Sequence, residues 1–145
     1  MPFDGIVMRA VTDELENKLL PGRINKIYQP TATELIFTIR SQGKNHSLLF
    51  SIHPTYARVH LTEDSFINPK EPPMFCMVLR KHLGGANIHS IEQDGMERVM
   101  IFTFLSRNEI GDETEKQLIV ELMGRHSNII LVQKVFYLIR IKLGS

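Results

Sequence analysis

The chain has 145 residues, 43% of them hydrophobic and 23% charged, and a formal net charge of +1. This fits one soluble globular domain with a core of its own. Near-neutral charge excludes a protein that grips nucleic acid over its whole surface, so any RNA contact has to come from a local patch or be shared with other parts.

The single cysteine, Cys76, excludes an intrachain disulfide and fits a reducing cytosol. Asp4, Arg9, Asp13, Glu14, Glu16 and Lys18 break up the start of the chain, so no secretory signal peptide is expected. No segment is long and apolar enough to span a bilayer. A cytoplasmic location without a membrane partner is the expectation.

Residues 4–20 read as a helix, with Val7, Met8, Val11, Leu15 and Leu19 at helical spacing, Asp4 as its cap and Pro21-Gly22 as its end. Strands are expected at 23–30, 34–40, 47–52 and 57–61, where β-branched and aromatic residues lie between turn formers such as 41–45. A polar loop with prolines covers 63–73. A second helix runs over 73–83, with Pro72-Pro73 suiting its first turn and Gly84-Gly85 its end. Phe75, Cys76, Val78, Leu79 and Leu83 share one side, and Arg80 and Lys81 point away from it. Further strands are expected at 88–93, 98–105, 117–123 and 128–132, the last two as a hairpin.

Helix, four strands, helix, four strands is an α+β pattern, with strands too closely spaced for parallel crossovers. It predicts two antiparallel β layers flanked by two helices. The domain is placed at 1–134. Residues 135–145 are apolar with interspersed basic residues and no turn before them, and are set apart as an atypical tail, appended or out of frame.

The candidates for chemistry are few. The six histidines are scattered, no pair has HExxH spacing, and one cysteine cannot build a thiolate zinc site, so no metal is expected. No phosphate-cradling or dinucleotide glycine pattern occurs, and no cofactor is expected. Asp4 reads first as a helix cap. Glu97-Arg98 follows the Gly95 turn at the mouth of a strand, where adjacent opposite charges are commonly a solvated pair. In Gly124-Arg125-His126-Ser127-Asn128, glycine and asparagine suit turn positions, whereas Arg125, His126 and Ser127 are donors that a turn does not require and that can meet phosphates. Structural and binding readings weigh equally there. Arg80 and Lys81 read as a solvated face that complements the helix dipole, and His82 as a packed histidine.

Several segments carry a resemblance in order and spacing: Phe3-Asp4-Gly5, Gly22-Arg23-Ile24, 34–40, His53-Pro54, Ala57-Arg58-Val59, 72–77, Leu79-Arg80-Lys81, 106–112 and 123–128. Over residues 1–134 the chain resembles the N-terminal domain of the NFACT family, in its Firmicute RqcH branch, also called fibronectin-binding protein A. The resemblance implies a fold like the N-terminal domain of formamidopyrimidine-DNA glycosylases. It further implies a non-enzymatic, tRNA-contacting module of ribosome quality control. Such factors bind the large ribosomal subunit obstructed by peptidyl-tRNA and recruit alanyl-tRNA for C-terminal alanine tailing of stalled chains.

The family's Asp maps onto Asp4, and its Asp-Arg pair onto Glu97 and Arg98, with a carboxylate one methylene longer here. Arg125 and His126 are second-rank tRNA-binding candidates. Two other readings stand beside this one. A fibronectin- or fibrinogen-binding surface adhesin is the alternative, against which the missing signal peptide counts. A DNA glycosylase with Pro2 as nucleophile is disfavoured, because Phe3 stands where that chemistry has a Glu.

Overall fold

The computed structural model describes residues 4–95, 97–134 and 138–144, with backbone alone at 134 and 138–140. Asp4 opens the first element. Its Oδ1 accepts from the backbone N–H groups of Ile6 (3.0 Å) and Val7 (2.9 Å), and helix α1 follows over Gly5–Leu19. Met8, Thr12, Leu15 and Leu19 form its buried stripe. Val7 and Val11, expected in that stripe, are only half-buried. Thr12 takes the inner place because its hydroxyl donates to the Met8 carbonyl at 2.7 Å, so its burial leaves no unpaired donor.

The end of α1 is held by the chain that returns to it. Gln42 Nε2 donates to the carbonyls of Asn17 (2.8 Å) and Leu20 (3.1 Å), which the helix leaves unpaired. At Gly22 a Cβ would stand 2.1 Å from the Leu19 carbonyl oxygen, so only glycine lets the next strand start so close to the helix.

Four strands follow: β1 (Gly22–Thr31), β2 (Glu34–Ser41), β3 (Lys44–Ser51) and β4 (Arg58–Thr62). β3 begins earlier than residue 47. Gln42 and Gly43 both have positive φ (52° and 78°), a two-residue turn that lets Ser41 pair directly with Lys44. After the predicted loop, α2 covers Met74–Leu83 and buries Phe75, Cys76, Leu79 and Leu83. Then come β5 (Asn87–Gln93), β6 (Val99–Arg107), β7 (Glu113–Glu121) and β8 (Asn128–Lys134). β7 starts before residue 117 because Glu113–Lys116 continue the ladder against Phe104–Arg107.

A ninth strand, β9 (Leu138–Lys142), pairs antiparallel with β8. It lies in the segment set apart as a tail, whose residues 135–137 and 145 fall outside the described residues. Near its end the Gly144 backbone N–H donates to Asn128 Oδ1 at 2.7 Å.

The expected α+β architecture is present, and its two layers are halves of one antiparallel sheet ordered β4-β3-β2-β1-β5-β6-β7-β8-β9. β3 and β6 are four strands apart, about 19 Å along a flat sheet. Yet the rings of Phe50 on β3 and Phe102 on β6 meet edge-on at 5.4 Å. The sheet therefore curls until its halves face each other, and Phe37, Phe50, Phe102 and Phe104 fill the space between.

The curl is possible because β1 and β5 pair only at Gly22–Ile88 and Arg23–Asn87. Beyond that, α2 and Gly84–Ala86 occupy the open edge of β1. Gly85 N–H donates to the Ile24 carbonyl (3.1 Å), Ile24 N–H to the Ala86 carbonyl (2.9 Å), and Arg80 Nε to the Ile27 carbonyl (2.8 Å). Arg80 keeps the exposed position expected of it, and its Nε is also docked on this edge, with its guanidinium carbon 5.7 Å from the Tyr28 ring centre. An unpaired strand edge needs donors for its carbonyls, and Arg80 supplies one.

Candidate nucleic-acid interface

Asp4, Glu97, Arg98, Arg125 and His126 come from three remote parts of the sequence, and all are exposed. Backbone geometry brings their segments to one end of the molecule. Gln93, in the last position of β5, makes the first link. Its Nε2 donates to the Gly5 carbonyl (3.0 Å) and to the Glu97 carbonyl (2.9 Å). The capped start of α1 and the turn before β6 are thus held by one amide. That turn is closed by Glu97 N–H to the Asp94 carbonyl (3.0 Å) and Asp94 N–H to the Val99 carbonyl (2.9 Å).

The second link is the Arg98 carbonyl, which accepts from Leu122 N–H at 2.9 Å. Leu122 is buried and leads straight into a single 3-10 turn over Gly124–His126. Gly124 has φ +58°, a left-handed conformation that glycine adopts without strain. Arg125 and His126 protrude from the turn. Ser127 does not: it is buried, and its hydroxyl donates to the Gly124 carbonyl at 2.6 Å. The expectation of a phosphate-facing Ser127 is corrected on that ground, because its donor closes the turn instead.

Two participants carried no signal in the sequence. Gln93 is one, since a single glutamine at a strand end looks like any solvated residue. The other is Tyr56, in the loop at 53–56 whose His53-Pro54 belongs to the resemblance. A Cβ on Gly124 would lie 3.9 Å from the Pro54 carbonyl oxygen, so this loop borders the Arg125-His126 turn. In it the rings of His53 and Tyr56 lie 5.1 Å apart, and Tyr56 is 61% exposed. His53 Nδ1 accepts from Thr55 N–H at 3.1 Å, which leaves Nε2 as the side that can donate.

This end of the molecule offers planar and ring donors, the carboxylates of Asp4, Asp94 and Glu97, and an exposed aromatic pair. Such a mixture suits phosphates, ribose hydroxyls and unstacked bases. No group of three or more metal-ligating side chains occurs among the described residues, and no helix among them is long and apolar enough to cross a membrane.

Comparison with known proteins gives a consistent picture. The family described as NFACT N-terminal and middle domains matches residues 4–140. The chain is 58% identical over 131 residues to the Rqc2 homolog RqcH of Bacillus subtilis, covering 90% of this chain and 23% of that protein. It is 31% identical over 139 residues to the human ribosome quality control complex subunit NEMF, covering 96% of this chain and 12% of that protein. The chain thus spans about a quarter or less of the length of these relatives.

Among solved structures, the N-terminal part of the fibronectin/fibrinogen-binding protein of Streptococcus suis superposes with a TM-score of 0.89 at 48% identity, over 91% of this chain and 49% of that one. The fibrinogen-binding protein of Staphylococcus aureus gives 0.85 at 38% identity, over 99% and 50%. By profile, by sequence and by fold, the chain belongs to the NFACT N-terminal domain family.

Proposed function

We propose that this chain is the tRNA-contacting N-terminal module of a ribosome quality control factor. The factor would bind the obstructed large ribosomal subunit with its peptidyl-tRNA and recruit alanyl-tRNA for C-terminal alanine tailing. The observation that carries the reading is the convergence of Asp4, Glu97-Arg98 and Arg125-His126 through the Gln93 bridge and the Arg98–Leu122 hydrogen bond. The names of the relatives, RqcH and NEMF, point the same way.

In this reading the Arg98 guanidinium offers a planar fork to a phosphate or a base edge. Glu97 and Asp4 supply carboxylates that orient that fork or accept from a ribose hydroxyl. Arg125 and His126 add phosphate donors from the neighbouring turn. Peptide-bond chemistry stays with the ribosome, and no residue here is assigned a catalytic role.

The test is capture of the full-length protein from its own cytosol with sequencing of the bound RNA, in wild type and in Arg98→Ala. Enrichment of alanine tRNA and large-subunit rRNA, with the tRNA lost in the variant, is the expected result. Intact alanine tailing in Arg98→Ala would sink the site assignment.

A second reading, a surface adhesin that binds fibronectin or fibrinogen, is favoured by the names of the structural neighbours. Salt discriminates it from nonspecific attraction, because binding through a few exposed cations fades as ionic strength rises.

A further inference from the structure

Strand β1 and helix α2 contain no acidic residue. Between them they expose Arg23, Lys26, Arg80 and Lys81, and Arg40 of β2 pairs across from Arg23. In a chain with a formal net charge of +1, this is a local concentration of positive charge.

The backbone shapes it. The β1–β2 register passes from Ile24–Ile39 to Lys26–Thr38, leaving Asn25 as an extra residue. That bulge keeps Ile24 and Ile27 buried and turns both Asn25 and Lys26 outward. Asn25, Lys26, Ile27, Tyr28, Arg80 and Gly84 line a cleft of about 450 Å³ between the strand and the helix.

Arg80 in the cleft wall and Arg23, two residues before Asn25 on the same strand, are held in the same way. Arg80 Nε donates to the Ile27 carbonyl at 2.8 Å, and Arg23 Nε to the Gly85 carbonyl at 3.0 Å. Each guanidinium is fixed through Nε, so its two Nη groups remain for another acceptor. The one ion pair among the described residues is Lys18–Glu14 on α1, so neither arginine is matched to a carboxylate. A guanidinium fixed in place, with paired N–H groups free, presents the fork that phosphate oxygens accept. Complementing the helix dipole does not account for Arg80, whose Nε reaches across to a strand.

We propose that this cleft binds the phosphodiester backbone of RNA, as a contact separate from the Asp4–Arg98–Arg125 end. Asp4 caps the start of α1, a helix of 15 residues and about 22 Å, whose other end leads into β1. The choice of RNA among polyanions rests on the function proposed above; the phosphate-binding geometry does not. Tyr28, the aromatic ring lining the cleft, is half-buried beside the Arg80 guanidinium, and most of the other lining residues are polar, which favours a polyanion over a protein partner held by an apolar hot-spot side chain.

The test uses the full-length protein and total tRNA, with binding measured across a salt series. Wild type, Lys26→Gln/Lys81→Gln and Arg98→Ala are compared. Both lysine side chains are exposed, and melting temperature checks that the fold persists. Losing Lys26, which lines the cleft, and Lys81, beside Arg80 on α2, at about 0.7–0.9 each makes the slope of log K against log salt shallower by about 1.4–1.8, with affinity down about tenfold at low salt. Unchanged affinity and slope in the lysine variant, with Arg98→Ala defective, overturns the cleft and leaves the proposed function standing. A defective lysine variant beside an intact Arg98→Ala upholds the cleft and removes the proposed tRNA site. Absence of tRNA binding in every form, or a defect confined to acidic peptides or anionic vesicles, overturns this inference.

Discussion

The Lys116 ammonium on β7 donates to the carbonyl of His82, in the last turn of α2, at 3.2 Å. Lys116 is buried, with Ser106 Oγ and Thr114 Oγ1 each 3.5 Å away. It ties the second half of the sheet to the helix that closes the edge of β1. Burial pushes the Lys116 ammonium below its ordinary pKa. Burial first, then Lys116 and Lys81, pushes the His82 imidazole down as well.

The sign of the resulting pH dependence follows. Both groups have folded pKa values below their unfolded ones, so between the two values the unfolded chain binds more protons. Stability therefore falls as pH drops below about 6.5, the ordinary histidine value, until the lowered His82 pKa is passed. For Lys116 the same slope lies below about 10.5. Urea unfolding between about pH 7.5 and pH 5 should show the acid loss, and His82→Gln should flatten it. An identical acid slope in wild type and variant would rule out His82 as its source.

The cap that Asp4 forms and the tRNA contact proposed for it can be separated by substitution. Asparagine caps a helix about as well as aspartate, whereas alanine costs about 1 kcal/mol. Asp4→Asn is expected to melt like wild type and to bind tRNA more weakly. Asp4→Ala should lose both stability and binding. Full tRNA affinity in Asp4→Asn would reduce Asp4 to a cap.

Gln93 is expected to be more sensitive to charge than to truncation. Gln93→Glu sets carboxylate oxygens against the carbonyls of Gly5 and Glu97, where an amide now donates. Leaving such carbonyls unpaired costs about 1–3 kcal/mol each when buried, and Gln93 is partly exposed, so the low end applies. Gln93→Ala should melt above Gln93→Glu, and both should speed amide exchange over the 94–98 turn. A Gln93→Glu protein as stable as wild type would remove the bridge from the account of the interface.

The sequence was most readable where local rules and burial agree. Asp4 caps α1, Pro73 precedes the first turn of α2, and the apolar residues of 34–40 and 47–52 take the places that strand pairing requires. What it hid are polar side chains whose partners lie far away in sequence. Lys116, Gln93 and Arg80 all look like solvated residues, and each donates to a carbonyl at least 34 positions from it or at a remote helix start. The curl of the sheet was hidden too. It depends on where β1 and β5 part, and no residue type announces that. Of the tRNA-binding candidates, position was legible for Asp4 and for the Arg125-His126 turn, while Ser127 shows that a turn can use its own hydroxyl.

Seven of the eight ladders in the sheet join strands that are neighbours along the chain, and only β1–β5 does not. Hairpins of that kind assemble quickly, whereas closing the long stretch between Gly22 and Ile88 is entropically dear and late. The Gln93–Gly5 bridge and the Arg23–Gly85 anchor both depend on that closure. A chain arrested before it would keep most of its secondary structure while lacking both surfaces proposed to meet RNA. Under the proposed function, capture by RNA would report on the completeness of folding, where circular dichroism would report only on its beginning.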